Sequence, residues 1–142
     1  MPTAGQPARL GYLLKQAHLQ FTEQARQALA PLDIGPREWA ALICLDDERG
    51  LSQGEVAQQL GIDRTTMVAL VDALQKKGLV ARQPHPGDRR KNRVALTAEG
   101  RSVMAQGAQL ADDAERRFLA VLSPPDAQQL KGALLAVIAP RP

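Results

Sequence analysis

The chain has 142 residues, of which 44% are hydrophobic, 23% charged and only 3% aromatic. This composition suits one soluble domain with a core of Leu, Val and Ala, and it excludes a disordered polyelectrolyte. The formal net charge of +3 is unevenly spread, because residues 76–93 hold seven basic residues and one acid. Such a local excess favours contact with a polyanion through one patch.

Residue types that usually carry catalysis or cross-linking are sparse. Cys44 is the single cysteine, so no intramolecular disulfide is possible, and His18 and His85 lack the spacing of metal ligands. The sequence has no glycine-rich phosphate loop and no nucleophile elbow. We therefore expect no catalytic residue, no metal and no cofactor. Since neither a signal peptide nor an apolar run of roughly 18 residues is present, we expect a cytoplasmic protein without a membrane partner.

The N-terminal third of the chain predicts two helices. After a Pro- and Gly-containing arm at residues 1–7, apolar residues recur every three or four positions from about 9 to 30. This period indicates an amphipathic helix that ends at Pro31. Pro36 suits the first turn of a second helix, which is expected to close near Asp47.

Two helices joined by a glycine turn follow. Ser52 and Glu55 have the spacing of a capping box, and Gly61 suits the left-handed stop of the third helix. Asp63 then caps a fourth helix that ends near Gly78. Its inner face is predicted to consist of Met67, Leu70, Val71 and Leu74.

The next segment predicts a β-hairpin with a basic loop. Residues 79–82 and 93–96 are short apolar strands, and Pro84, Pro86 and Gly87 lie in the loop between them. Helix, glycine turn, helix and hairpin form the outline of a winged helix-turn-helix. In that fold the second helix enters the DNA major groove and the hairpin, or wing, reaches the minor groove. The expected fold is mainly α-helical with a small β-hairpin wing.

The predicted DNA contacts lie at the start of the third helix, on the fourth helix and on the wing. A helix N-terminus attracts phosphate, and Arg64 can pair with a guanine edge or grip a phosphate. Asp88 stands two residues before Arg90, where it can orient a guanidinium for the minor groove. Asp72 is expected to face protein or solvent, because phosphates repel it. The candidates are Ser52, Gln53, Arg64, Thr65, Thr66, Gln75, Lys76, Arg89, Arg90, Lys91 and Arg93.

A winged helix can alternatively serve protein contacts without DNA. That alternative predicts a wing poor in arginine or an apolar recognition face. The cations at Arg64, Arg89, Arg90, Lys91 and Arg93 favour DNA binding over it.

The C-terminal part predicts a long fifth helix at 98–122, capped by Thr97, and a sixth helix through about residue 138, capped by Ser123. Together with the first helix, they carry more apolar side chains than a small winged-helix core can cover. This surplus predicts an interface with a second copy of the chain. The side chains are Leu10, Leu14, Phe21, Leu110, Phe118, Leu119, Leu122, Leu130, Leu134 and Ile138.

Residues 51–82, the wing motif Asp88-Arg89-Arg90 and the segment Leu96-Thr97-Ala98-Glu99-Gly100 resemble the MarR family of bacterial transcription regulators. The resemblance implies a single domain that binds a pseudo-palindromic operator as a homodimer. Residues 9–30 and 98–138 would dimerise, and residues 36–97 would form the DNA-binding lobe. It also implies recognition through Arg64, Thr65 and Thr66, with Arg90 in the minor groove and Asp88 orienting it.

The resemblance further implies a ligand-responsive repressor, since family members commonly release DNA when a small phenolic or lipophilic compound binds between the dimerisation and DNA lobes. Tyr12, His18 and Trp39 lie on helices that would border this cleft and are the candidate pocket residues. The alternative is that Trp39 packs in the core and His18 is solvated or at an interface. Oxidant-sensing members carry a cysteine near the start of the first helix, where this chain has residues 10–13. Cys44 is therefore expected to be a buried structural thiol.

Overall fold

The structure is a computed structural model that describes residues 9–46, 50–85 and 87–142, with backbone alone for 85 and 88–92. The predicted N-terminal arm lies outside the described residues. Six α-helices and one antiparallel hairpin follow each other along the described chain. They are α1 (Leu10–Leu29), a 3₁₀ turn (Ala30–Leu32), α2 (Pro36–Leu45), α3 (Gln53–Leu60), α4 (Arg64–Lys76), β1 (Val80–His85), β2 (Asp88–Leu96), α5 (Ala98–Leu119) and α6 (Pro124–Ile138).

The helix signals of the helix-turn-helix are confirmed. Ser52 Oγ accepts a hydrogen bond from the Glu55 amide at 3.2 Å, and the Glu55 carboxylate accepts one from the Ser52 amide at 3.2 Å. Gly61 ends α3 with a φ of 66°, and Asp63 Oδ1 accepts from the Thr66 amide at 2.7 Å. These caps satisfy amides that a helix start leaves unpaired, so the turn between α3 and α4 is locally fixed.

Two helix ends differ from the predictions. The α-helical pattern of α1 stops at Leu29, and Pro31 lies inside a 3₁₀ turn, where its missing N–H is tolerated. The fifth helix ends at Leu119 rather than at Leu122, which closes a turn by donating its amide to the Leu119 carbonyl at 2.9 Å. Apolar spacing continues through this turn, and for that reason the sequence placed the end too late.

The strands of the wing are longer than predicted. The register runs from Val80 opposite Leu96 to Pro84 opposite Asn92, with an irregularity before His85. Pro84 therefore belongs to β1, and its predicted place in the loop is wrong. A two-stranded ribbon leaves one edge of each strand without a partner, so a proline can be accommodated there. The polar residues of these outer strand segments lack the apolar alternation that signals a strand.

The core lies inside the winged-helix lobe. The inner face of α4 is confirmed, since Met67, Leu70, Val71 and Leu74 are at most 8% exposed. They pack with buried residues of α2, α3 and the hairpin, among them Leu42, Val56, Val80 and Val94.

The helices outside this lobe have fewer partners. Helix α1 packs along α5, where Phe21 and Phe118 stack edge to face with ring centroids 5.3 Å apart. Helix α6 has no buried residue, and Lys131 ties it to Glu115 of α5 through an ion pair of 3.0 Å. Among the described helices, none combines the length and apolar character of a membrane span.

Candidate nucleic-acid interface

The outward face of α4 is a continuous strip of exposed side chains. Of the predicted contacts on this helix, Arg64, Thr65, Gln75 and Lys76 are exposed, whereas Thr66 is half-buried. Val68 also lies on the strip and is 39% exposed, although it is not among the predicted contacts. Its position one helical turn after Arg64 was the available signal. An exposed isopropyl group at this place suits contact with the methyl group of thymine.

The N-terminus of α4 is more basic than the sequence suggested. The pKa of the Asp63 carboxyl is lowered, first by the hydrogen bond from the Thr66 amide and also by the positive charge of Arg37. Arg37 stands in the first turn of α2, 26 positions before Asp63, so only the fold brings them into electrostatic range. Arg37 and Arg64 therefore flank a helix end that itself attracts anions.

The start of α3 is joined to the wing. The Ser52 backbone forms a bridge with Arg93 of β2. Because the Ser52 hydroxyl oxygen already accepts the capping bond, its O–H remains the group that can donate to a phosphate. Gln53 is half-buried beside it. Both candidates thus lie at the junction of the helix-turn-helix and the hairpin.

The Arg93 side chain lies at the base of the wing. It is half-buried, and its Nε is buried without a hydrogen-bond partner. Gly50 has a φ of 70°, and a Cβ added there would lie 2.2 Å from Arg93 Nε. The guanidinium therefore packs against the backbone before α3. The side chains of Asp88, Arg89, Arg90 and Lys91 lie outside the described residues, so the pairing of Asp88 with Arg90 stays a prediction.

Two further basic residues of the 76–93 segment form ion pairs with other side chains of the protein. Lys77 Nζ donates to Glu38 Oε2 at 3.0 Å and ties the end of α4 to the start of α2. Arg82 of β1 donates from Nη2 to Asp72 Oδ1 at 2.7 Å and from Nη1 to Gln75 Oε1. The Asp72 side chain is 55% exposed and pairs with Arg82, which agrees with the expectation that it faces protein or solvent. Its partner Arg82 was not foreseen. The local charge excess is consequently smaller at the surface than in the sequence.

The segment Leu96–Gly100 is a joint between the lobe and α5. Thr97 Oγ1 donates to the Gly78 carbonyl at 2.6 Å and accepts from the Gly100 amide at 3.0 Å. A Cβ at Gly100 would lie 2.0 Å from the Leu79 carbonyl oxygen. The segment therefore combines a helix cap, a hydrogen bond to the end of α4 and a close backbone approach. Together they fix the direction of α5 relative to the wing.

The candidate pocket residues Tyr12, His18 and Trp39 lie on α1 and α2, and none of them lines the groove described between α1 and α5. Tyr12 is half-buried and His18 exposed on α1, whereas Trp39 Nε1 donates to the Met104 carbonyl of α5 at 3.1 Å. A Cβ at Gly107 would lie 2.5 Å from Trp39, so the indole packs closely on α5. An open groove of about 530 Å³ between α1 and α5 has other lining residues: Gln24, Gln27, Ala28, Pro31, Leu110, Asp113 and Arg117.

The environment of Cys44 favours a structural thiol. The side chain is half-buried beside the lobe core and not fully buried as expected, and desolvation raises its pKa. A raised pKa keeps the thiol protonated and weakly nucleophilic near neutral pH.

A capped helix-turn-helix, an exposed basic recognition helix and a hairpin wing together define a DNA-binding transcriptional regulator. The sequence profile of the MarR family matches residues 32–91. An HTH-type transcriptional repressor of Mycobacterium tuberculosis is 30% identical over 127 residues, which cover 89% of this chain and 91% of that protein. The chain belongs to the MarR family.

Solved structures extend the similarity to nearly the whole chain. The transcriptional repressor CouR bound to a 23-mer DNA duplex is 32% identical, with a TM-score of 0.90 over 98% of this chain and 99% of that one. CouR from Rhodococcus jostii bound to p-coumaroyl-CoA is 27% identical, with a TM-score of 0.83 over 98% of both chains. The predicted fold and family are thereby confirmed.

Proposed function

We propose that the protein is a repressor that binds a pseudo-palindromic operator as a homodimer and releases it when a small phenolic or lipophilic effector binds. The observation that carries DNA recognition is the exposed strip of α4, with Arg37 and Arg64 at one end and Lys76 at the other. The similarity to a repressor bound to duplex DNA supports the assignment of DNA binding to this fold.

Within this proposal, the candidate residues fall into two roles. Arg64, Thr65 and Val68 face the major groove, where a bidentate arginine and an apolar group discriminate between bases. The other candidates position the protein on the backbone or enter the minor groove. They are Ser52, Gln53, Thr66, Gln75, Lys76, Arg89, Arg90, Lys91 and Arg93, with Asp88 orienting Arg90.

The proposed dimer uses residues 9–30 and 98–138, and residues 36–97 form the DNA-binding lobe. Its support is the exposed apolar surface of α1 and α6, which includes Leu10 at 66% and Ile138 at 74% exposure. A two-fold dimer would present two copies of α4 to half-sites about 34 Å apart, one turn of DNA.

The proposed effector is an aromatic acid or its thioester. The support is the relative CouR, which was solved with p-coumaroyl-CoA. Tyr12 and His18 are the candidate contacts of α1, and Trp39 is the weaker candidate because its indole N–H is already bound to α5. Addition of p-coumaroyl-CoA or of free p-coumarate to the complex with operator DNA should release the DNA. The same compounds should not affect the weaker complex with a scrambled duplex.

The test of DNA recognition is a binding titration over a salt series. Duplexes are selected from a randomised pool by the unmodified protein and compared with scrambled duplexes of equal length. Arg64→Ala should reduce discrimination by about 1–3 kcal/mol if Arg64 reads a base, and Arg90→Ala should make the salt dependence shallower. Exposed Arg101 provides a matched control, because Arg101→Ala removes the same charge from α5 and not from α4.

Equal affinity for selected and scrambled duplexes would contradict sequence-specific recognition. Absence of binding even at low salt would favour a winged helix used for protein contacts.

A further inference from the structure

Arg82 connects the wing to the recognition helix at two points. Its Nη2 donates to Asp72 Oδ1 at 2.7 Å, and its Nη1 donates to Gln75 Oε1. Asp72 and Gln75 stand three positions apart on the exposed strip of α4, and the Arg82 side chain is 25% exposed. One guanidinium thus engages two of the three polar side chains in the second half of the strip, and Lys76 is the third.

We propose that Arg82 is a positioning residue for DNA recognition, which neutralises Asp72 and turns Gln75 into a hydrogen-bond donor toward DNA. The proposal rests on the proposed function, because it assigns the chemistry by which the second half of α4 meets the duplex.

The first part of the proposal concerns charge. An unpaired carboxylate on a helix that approaches phosphates raises the free energy of the complex through repulsion, and the repulsion grows as water is excluded. At 2.7 Å from Arg82, the Asp72 carboxylate belongs to a neutral pair. The main function of the Arg82 charge is then to cancel Asp72 rather than to bind a phosphate.

The second part concerns the orientation of an amide. A guanidinium has donors only, so Gln75 must turn its carbonyl oxygen toward Arg82. Its Nε2 then points away with two donor hydrogens. A free glutamine can pair with adenine by donating and accepting at once, but the Gln75 carbonyl oxygen faces Arg82 and not the duplex. It is therefore expected to donate to a purine N7, to guanine O6, to thymine O4 or to a phosphate, and to disfavour the cytosine amino group.

The test is a double-mutant cycle on the duplex that the unmodified protein selects from a randomised pool. Arg82→Gln should weaken binding by about tenfold, because it leaves Asp72 unpaired against DNA. Asp72→Asn should bind at least as tightly as the unmodified protein. The double variant should recover to within about threefold of Asp72→Asn. Equal weakness of the double variant and Arg82→Gln would overturn the charge argument, since that result means that Arg82 does not act on DNA binding through Asp72.

The amide orientation has its own readout. Repeating the selection with Gln75→Glu should abolish any preference against cytosine at one base pair, or weaken all duplexes alike if Nε2 donates to a phosphate. An unchanged selection and affinity would overturn the assignment of Gln75. Arg101→Gln serves as the charge-matched control, and thermal unfolding confirms that each variant is folded.

A measurement without DNA separates this proposal from the proposed function. In ¹⁵N NMR of the free protein, the Arg82 guanidinium should rotate more slowly than that of exposed Arg101 and should be released in Asp72→Asn. Rotation as free as that of Arg101 would overturn the proposed contacts of Arg82 with Asp72 and Gln75. Failure of the unmodified protein to prefer any duplex would instead overturn the proposed function, while the NMR result still decides whether Arg82 holds α4.

Discussion

The winged-helix lobe and helix α6 bury their apolar residues to opposite extents. In the lobe, Leu42, Val56 and Val71 are fully buried. In α6, where three of fifteen residues are leucine, no residue is buried, and Leu135 and Ile138 are 64% and 74% exposed. The lobe therefore finds its packing partners inside the chain, whereas the apolar side chains of α6 require a surface that one copy does not provide.

This contrast follows from the number of elements that pack together in each region. The lobe brings together three helices and a hairpin, each with one apolar face, around one point. Helix α6 follows the turn at Leu122 and Ser123, and its described ion pair joins it only to the side of α5. The lobe is expected to be a stable unit, and α6 is expected to depend on the dimer.

The largest effect is expected from a charge in the exposed face of α6. Leu134→Glu should convert the proposed dimer to a monomer and abolish operator binding, because burial of an unpaired carboxylate opposes association more strongly than a leucine favours it. Light scattering coupled to size-exclusion chromatography measures the mass. Gln129→Glu adds the same charge at another exposed position of α6 and should remain dimeric. A Leu134→Glu protein with the mass of a dimer would remove α6 from the interface.

The next effect is expected at the joint between the lobe and α5. Gly100→Ala places a methyl group against the Leu79 carbonyl and should destabilise the protein by at least about 2 kcal/mol. Gly54→Ala in α3 is the matched control, since its nearest neighbour there would be 3.9 Å away. Chemical unfolding at one protomer concentration measures both, because dimerisation makes stability depend on concentration. Equal stability of the two variants would show that Gly100 can move away from the Leu79 carbonyl without loss of folding stability.

A smaller effect is expected from the cap of α4. The pKa of Asp63 is lowered in the folded protein, so its contribution to stability is complete above the unfolded carboxyl pKa of about 3.9 and is lost as the pH falls through the folded value. Asp63→Asn keeps a cap without this titration. The stability difference between the two proteins should therefore shrink on acidification in that range. A difference that stays constant would mean that the Asp63 charge does not contribute.

The smallest effect is expected at Cys44. Because its thiol is half-buried and its pKa is raised, alkylation by iodoacetamide should be slower in the native protein than in the unfolded protein. Cys44→Ala should leave DNA affinity unchanged before and after treatment with peroxide. Loss of DNA binding on oxidation in the unmodified protein, but not in Cys44→Ala, would instead identify a redox sensor.

Local signals were sufficient for most of the fold. Each of the confirmed signals depends on residues at most a few positions apart. They are the Ser52 and Asp63 caps, the Gly61 stop and the inner face of α4. The strand ends were missed, because Pro84 and the polar residues around it form a strand only when a partner strand lies beside them. Long-range pairing decided that segment.

The candidate site divides in the same way. The sequence by itself determined the class of protein and the exposed basic helix, since helix periodicity decides which side chains face outward. Only the tertiary structure placed Arg37 near Asp63, joined Arg82 to Asp72 and Gln75, and packed Arg93 against Gly50. Charge can be counted along a chain, but whether a cation is free for DNA or paired within the protein depends on contacts between distant residues, which only the fold creates.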